Sequence, residues 1–212
     1  MSGTHVYVVD DDPSVRRAIQ RLLRAQEIEV TAFESAQELL DHGVPSEVGC
    51  LVLDVSMPGI DGLDLQRELS ERGVDAPIVF LTGHGDIPMS VSAMRGGAVD
   101  FLVKPMDADA LVRSVRSAME GYAGRRSRDA EVVAFQERLP GLTARERQVL
   151  ALVVAGRLNK QIALELGIAL DTVKVHRGRV MRKAGVESLA ELVRLCERAG
   201  WNGAAPDPGA PT

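Results

Sequence analysis

The sequence predicts an α/β domain, a doubly wound five-stranded parallel sheet, followed by a smaller all-helical domain. Three observations carry that prediction. Four apolar runs, at 6–9, 50–53, 78–81 and 101–103, are rich in Val, Ile and Leu at successive positions, as strands buried on both faces of a parallel sheet require. Helical spacing fills the gaps, so strand and helix signals alternate through the first 120 residues. From residue 141 onward the pattern is helical throughout, with cap signals at the starts and Gly at the stops.

In chain order, a strand at 5–9 is followed by a helix at 13–26 that carries Val15, Ile19, Leu22 and Leu23 on one face. A short β-rich run at 28–33 precedes a helix at 35–41. The strand at 50–53 leads through the Met57-Pro58-Gly59 turn into a helix at 62–70. The strand at 78–81 is followed by Gly83-His84-Gly85 and a helix from about 86 to 95. A strand at 99–103 and a helix from about 107 to 120 complete the domain. Right-handed crossovers then place helices on both faces of the sheet.

Residues 122–140 read as a connector containing Gly124, the basic cluster Arg125-Arg126-Ser127-Arg128, and Pro140. A weak helical period at Val132, Phe135 and Leu139 leaves two conformations open, a short packed helix and a mobile linker. Thr143-Ala144-Arg145-Glu146 is a capping box, in which the Thr hydroxyl accepts from the Glu amide while the Glu side chain reaches back. The helix it opens ends near Gly156. Asn159 is expected to cap a second helix ending at Gly167, and Asp171 a third ending at Gly185. Ser188 opens a fourth, to about Arg198. The tail at 201–212, with Pro206, Pro208 and Pro211 among Gly and Ala, is expected to be disordered. The expected division is therefore a first domain at 1–121, a linker at 122–140, a helical domain at 141–200, and that tail.

The net charge of −5 conceals a division. Residues 1–121 carry 10 Lys and Arg against 20 Asp and Glu, whereas residues 122–200 carry 15 against 9. A basic segment attached to an acidic one suggests a nucleic-acid-binding module carried by a different kind of domain. No apolar stretch approaches the roughly 20 residues of a membrane span. The first residues lack the basic and apolar regions of a signal peptide. A cytoplasmic location with no membrane partner is the expectation, and Cys50 and Cys196 then read as free, buried thiols.

Each of the four apolar runs stops at a residue suited to a phosphoryl group or a divalent cation: Asp10-Asp11-Asp12, Asp54, Thr82 and Lys104-Pro105. In an open parallel sheet, ligand chemistry collects where the carboxyl ends of the strands meet. A lone Asp at a strand end is most often a helix cap or turn residue. Three carboxylates brought together repel unless a cation neutralises them, and a hard oxygen site suits Mg²⁺. Asp54 is the expected phosphoacceptor. Asp11, Asp54 and the backbone carbonyl of Ser56 are the expected Mg²⁺ ligands, with Asp10 binding directly or through water. Thr82 can hydrogen-bond one phosphoryl oxygen and Lys104 can ion-pair with another, since in-line phosphoryl transfer demands mainly positioning and charge neutralisation. Pro105 forces Lys104 out of helical geometry and makes the Lys104-Pro105 bond a candidate cis peptide.

These residues also carry a resemblance. Val8-Val9-Asp10-Asp11-Asp12, then Leu53-Asp54-Val55-Ser56-Met57-Pro58-Gly59-Ile60-Asp61-Gly62, then Thr82-Gly83 and Lys104-Pro105 resemble a two-component receiver domain over about residues 4–121. The run from Leu81-Thr82-Gly83-His84-Gly85-Asp86 to Ile87-Pro88-Met89, with Gly96-Gly97-Ala98-Val99-Asp100-Phe101, narrows it to the FixJ/NarL type. The resemblance implies a CheY-like sheet of order 2-1-3-4-5. It also implies that Phe101 is an aromatic switch, turning inward once Thr82 moves towards the phosphoryl group. His84 reads as a loop residue rather than a catalytic base, for it follows a turn and has no evident orienting partner.

Projection of the third helix of the basic segment at 100° intervals puts Val173, Val180 and Ala184 on one side. Lys174, Val175, Gly178, Arg179 and Arg182 fall on the opposite arc, with Lys183 at its margin. A cationic, thinly apolar outer face is what a helix in the major groove requires. Leu142-Thr143-Ala144-Arg145-Glu146-Arg147-Gln148-Val149-Leu150, Asn159-Lys160-Gln161-Ile162-Ala163 and Thr172-Val173-Lys174-Val175-His176-Arg177 resemble a LuxR-type DNA-binding domain. That resemblance implies that Lys174 and Val175 approach bases, while Lys160, Thr172, His176 and Arg179 contact phosphates or support the helix.

The reading that follows is a DNA-binding transcriptional response regulator, not an enzyme. A sensor histidine kinase is expected to phosphorylate Asp54, and the phosphorylated protein to form a homodimer on double-stranded promoter DNA, with RNA polymerase as a further partner. Two alternatives fit the residues less well. A constitutive regulator whose receiver only dimerises or docks need not keep Thr82 and Lys104. A phosphatase of the haloacid-dehalogenase type, suggested by Asp10-x-Asp12, leaves the Asp54 turn without a role.

Overall fold

The structure is a computed structural model that describes residues 5–45, 48–83 and 87–201, with the side chains of 87–90 left aside. Two compact units, Met1–Arg125 and Arg126–Thr212, divide the chain.

The first unit is built on five parallel strands, β1 (His5–Val9), β2 (Glu29–Phe33), β3 (Cys50–Asp54), β4 (Ile78–Thr82) and β5 (Asp100–Val103), in the order β2-β1-β3-β4-β5. Side chains alternate between the two faces of a strand, and both faces are apolar here. Val6, Val8, Cys50, Val52, Val79 and Leu81 pack with Ile19 and Leu23 of α1 (Pro13–Ala25) and Leu111 and Val115 of α5 (Ala108–Arg138). Tyr7, Val9, Leu51, Leu53, Ile78 and Phe80 pack on the opposite face. There they meet Leu39 of α2 (Ala36–His42), Leu65 of α3 (Gly62–Glu71) and Ala93 of α4 (Ile87–Arg95). The doubly wound fold and its strand order are as expected.

Local chemistry sets the helix starts. Asp12 caps α1 by accepting from the Ser14 amide at 2.7 Å, with Pro13 opening the helix. Ser35 caps α2 and Asp61 caps α3 in the same way. Gly62 is required at the start of α3, because a Cβ there would lie 2.3 Å from the Asp54 carbonyl oxygen. The Lys104-Pro105 peptide is cis.

The second unit contains the end of α5, a single 3₁₀ turn (Leu139–Gly141), and α6 (Ala144–Val154), α7 (Asn159–Leu166), α8 (Leu170–Ala184) and α9 (Leu189–Arg198). Its core joins Phe135 and Leu139 to Leu142, Leu150, Ile162, Val173, Val180 and Leu192. The stretch read from sequence as a connector is helical through Arg138. Gly121 and Gly124 each cost the helix about 0.5–1 kcal/mol relative to Ala, but burial of Phe135 and Leu139 offsets this at its end.

The capping box at Thr143 and Glu146 is present, and Ser188 caps α9. Two expected caps are not. Asn159 is the first helical residue of α7, and the cap position is Leu158, whose amide donates to Gln161 Oε1 at 2.8 Å. Asp171 lies inside the first turn of α8, and Ala169 occupies the cap. Asp171 thereby places its charge beside the positive end of the helix dipole rather than closing an orphan amide. His84, the start of α4 at Asp86, and all of the tail except Trp201 lie outside the described residues.

Candidate functional site

Parallel register brings the polar strand ends together. Val9 pairs with Leu53, Asp54 with Leu81, and Thr82 with Val103. Asp10, Asp54, Thr82 and Lys104 therefore emerge side by side at one edge of the sheet. Asp10 is wholly buried, Thr82 nearly so, and Asp54 is 5% exposed.

Lys104 spans the pocket. Its Nζ donates to Asp10 Oδ2 at 2.7 Å and lies 2.9 Å from Asp54 Oδ2, while its backbone N–H donates to the Thr82 carbonyl at 2.6 Å. The free oxygens of the two carboxylates are also held. Asp10 Oδ1 accepts from the Asp12 amide at 3.0 Å, and Asp54 Oδ1 from the Ser56 amide at 3.3 Å. Arg16 Nη1 donates to the carbonyls of Asp10 and Asp11, at 2.7 and 3.0 Å, and so pins the backbone between them.

The electrostatics follow from burial and this one ammonium. Burial raises the Asp10 carboxyl above its ordinary pKa, partly offset by Lys104 and the Asp12 amide. Burial also works against the Lys104 ammonium, but its bonds to Asp10 and Asp54 outweigh it and hold the lysine above its usual value.

Carboxylate oxygens of Asp10, Asp11 and Asp54 lie within 4.8 Å of one another. Three carboxylates against one ammonium leave two negative charges, which is the charge of one divalent cation. The donors are all hard oxygens, as Mg²⁺ prefers. The residues present fit that ion.

The expected switch aromatic, Phe101, is half-buried on β5, its ring 6.4 Å from that of Phe80 and inclined at 49°. Val91 and Met94 of α4, and Val99 and Val103 at the entry and end of the edge strand β5 against which α4 packs, are exposed, which gives these two elements an apolar outer surface.

In the second unit, α8 divides as its periodicity requires. Val173, Val180 and Ala184 are buried, while Thr172, Lys174, Arg179 and Arg182 are exposed and Val175 is 52% exposed. Lys160 is exposed on α7. Lys174 pairs with Asp171 at 2.8 Å, one turn back. His176 is half-buried, and its Nδ1 has no hydrogen-bond partner among the described residues.

Lys183, expected at the margin of the outer face, turns inward. Its Nζ donates to Glu146 Oε2 at 2.7 Å and to the Gly141 carbonyl at 2.9 Å. Burial opposes the charged form of Glu146, but Lys183 and the Thr143 amide outweigh it and hold the carboxyl at about 2. Arg157 and Arg177 were not singled out from sequence. They line a cleft of about 490 Å³ with Lys160 and Lys174, and Arg177 also donates to Asn159 Oδ1. The signal for Arg157 was its place just before α7; Arg177 closes the LuxR-like run from Thr172, but nothing in that run assigned it a role.

A buried carboxylate pair bridged by a lysine at the strand ends of a doubly wound sheet, with a separate helix-turn-helix unit, defines a receiver joined to a DNA-binding module. Comparison with known proteins agrees. Residues 6–116 match the response regulator receiver domain, and residues 140–196 match the LuxR family of bacterial regulatory proteins. Nodulation protein W of Bradyrhizobium diazoefficiens is 48% identical over 92% of this chain and 86% of its own length. The transcriptional regulatory protein FixJ of Azorhizobium caulinodans is 45% identical over 92% of both chains. Among solved structures, response regulator StyR superposes with a TM-score of 0.72 at 47% identity, covering 92% of this chain and 98% of that one. Full-length FixJ from B. japonicum gives 0.59 at 40% identity, over 94% and 98%. The chain belongs to the FixJ/NarL-type response regulators, DNA-binding transcriptional regulators of two-component systems.

Proposed function

We propose that Asp54 accepts a phosphoryl group from a sensor histidine kinase and that this controls promoter binding. The observation that carries the reading is the Lys104 ammonium shared between Asp10 and Asp54 at 2.7 and 2.9 Å. It offsets one of the carboxylate charges before transfer, and afterwards can follow the charge from the carboxylate to a phosphoryl oxygen. In the transfer, an Asp54 Oδ attacks phosphorus in line with the leaving nitrogen of a phosphohistidine. The P–O bond forms as the P–N bond breaks, and the released imidazole takes up a proton from solvent.

Asp10, Asp11, Asp54 and the backbone carbonyl of Ser56 would hold Mg²⁺, which when bound supplies charge neutralisation at the phosphoryl oxygens. Thr82 turns its hydroxyl to a phosphoryl oxygen, and Phe101 moves inward into the space this leaves. The exposed apolar patch of Val91, Met94, Val99 and Val103 supports receiver pairing, since contiguous exposed apolar surface marks interaction sites. A homodimer would set two α8 helices on half-sites about one DNA turn, roughly 34 Å, apart.

On DNA, Lys174 and Val175 approach base edges. Lys160, Thr172, His176 and Arg179 hold phosphates or support the helix. The protein acts in the cytoplasm, and RNA polymerase is a further partner. The test is labelling of the full chain by acetyl phosphate with Mg²⁺. The wild type takes one acid-stable, base-labile phosphoryl group and Asp54→Asn takes none; undiminished labelling of Asp54→Asn moves the phosphoacceptor elsewhere.

A further inference from the structure

Phosphorylation at Asp54 has to reach the α4–β5 patch, and the strand-borne route through Thr82 and Phe101 is not the one physical connection between them. A second runs along α3. Its first residue, Gly62, donates its amide to the Val55 carbonyl at 3.0 Å. It also packs so closely on the Asp54 carbonyl that a Cβ would lie at 2.3 Å. One turn later stands Gln66, only 6% exposed although its side chain is a primary amide.

Gln66 Nε2 faces two carbonyl oxygens at the end of α4, that of Gly96 at 3.0 Å and that of Ala93 at 3.4 Å. Two acceptors require a donor, which settles the orientation of the amide. The end of α4 is otherwise closed by its own backbone, with Gly97 left-handed at φ +92° and the Ala98 amide bonded to Ala93. Gln66 is thus an external donor added to a helix terminus that already has a local cap. The packing is equally tight. A Cβ on Gly96 would lie 2.5 Å from Gln66 Oε1. Immediately beyond, the Val99 amide bonds to the Ile78 carbonyl at 2.8 Å and the chain enters β5. Met94 and Val99, which flank this contact, belong to the exposed patch.

We propose that Gln66 is a positioning residue that couples the phosphoacceptor to the α4–β5 surface through α3. It holds the end of α4 in register with the backbone of Asp54. The chain of contacts is backbone against backbone at Gly62, where a Cβ would meet the Asp54 carbonyl, and at Gly96 it is closed by the Gln66 amide, buried and bonded to the Gly96 and Ala93 carbonyls. A shift of the Asp54 backbone is therefore passed to α4 rather than absorbed. This inference rests on the phosphoacceptor and dimer readings above.

The test uses full-length wild type, Gln66→Met, Gly96→Ala and the double variant, each with and without acetyl phosphate and Mg²⁺. Label on Asp54 and the monomer–dimer dissociation constant are read for every protein. All four are expected to take the same label. In Gln66→Met the factor by which phosphorylation tightens the dimer falls about fivefold to tenfold, the effect of one buried hydrogen bond. Gly96→Ala lowers it as well by displacing the amide, and the double variant is no worse than Gln66→Met because the hydrogen bonds that the added methyl would disturb are already gone. Equal label with an unchanged factor in Gln66→Met overturns the proposal. Should that variant fail to fold, an unchanged factor in Gly96→Ala overturns it. A wild type that takes no label overturns the phosphoacceptor reading instead, and one that takes label but stays monomeric overturns the dimer reading.

Discussion

Lys104→Met removes the ammonium between Asp10 and Asp54 and leaves a side chain of similar length. Asp10 is wholly buried, Asp54 is 5% exposed, and the Lys104 side chain is 18% exposed, so solvent does little to replace the lost charge. Breaking a buried pair from one side costs about 3–5 kcal/mol. Burial already raises the Asp10 carboxyl, and proton uptake there keeps the cost near the lower figure, about 3 kcal/mol. For a unit of this size, each kcal/mol corresponds to roughly 3–5 °C, so the first unit should unfold about 9–15 °C lower. The assay is thermal unfolding of the full chain at fixed ionic strength, in EDTA and in Mg²⁺. Without the competing ammonium the carboxylates should bind the cation more tightly, displacing the proton on Asp10, so Mg²⁺ narrows the gap by preferential binding to the folded state. A variant that unfolds at the wild-type temperature in EDTA would refute the assignment of Lys104 as the counter-charge. Mg²⁺ that stabilises neither protein would refute the metal site.

Phe135→Ala, at a residue 1% exposed in the second core, should cost about 3–5 kcal/mol. It should lower the second unfolding transition while sparing the first; unchanged unfolding would place the end of α5 outside that unit. Glu146 is held at about 2 against an ordinary 4.5. Its depressed carboxyl contributes stability that is complete above about 4.5 and lost as pH falls towards 2, by no more than about 2 kcal/mol with the half-exposed Lys183 discounted for screening. Lys183→Met should therefore move the acid unfolding of the second unit, followed by circular dichroism, to higher pH. Lys174→Ala should weaken specific DNA binding by about 1–3 kcal/mol at fixed salt, whereas Lys160→Ala should weaken all sequences alike and reduce the salt slope by about 1. Equal losses on specific and random DNA for Lys174→Ala would misplace the recognition face.

Much of this architecture was legible locally. Short apolar runs bounded by turn residues and alternating with helical spacing marked strands covered on both faces, and the capping box at Thr143 acts within three residues of its own position. Because each run ended at its polar residue, parallel topology was enough to predict a shared pocket. The buried side of α8 also followed from spacing alone, since Val173, Val180 and Ala184 repeat at the helical period. The caps misassigned to Asn159 and Asp171 show the limit of that signal, for both residue types also suit the first turn itself.

What one chain segment contributes to another was decided only by folding. Lys183 looked like part of a cationic outer face, but a lysine has four flexible carbons, and the carboxylate it reaches lies 37 positions earlier. The end of α5 was left open between a short packed helix and a mobile linker, because Gly124, the basic cluster and Pro140 stood against its weak periodicity; burial of Phe135 against α6–α9 residues settled it. Gln66 carried no motif at all, and its partners lie 27 and 30 residues away. Sequence by itself determined the strands, most helix starts and the identity of the strand-end residues, because those depend on neighbours along the chain. Tertiary structure decided which charge meets which carboxylate and which amide closes which helix, because those energies depend on distances that no local pattern encodes.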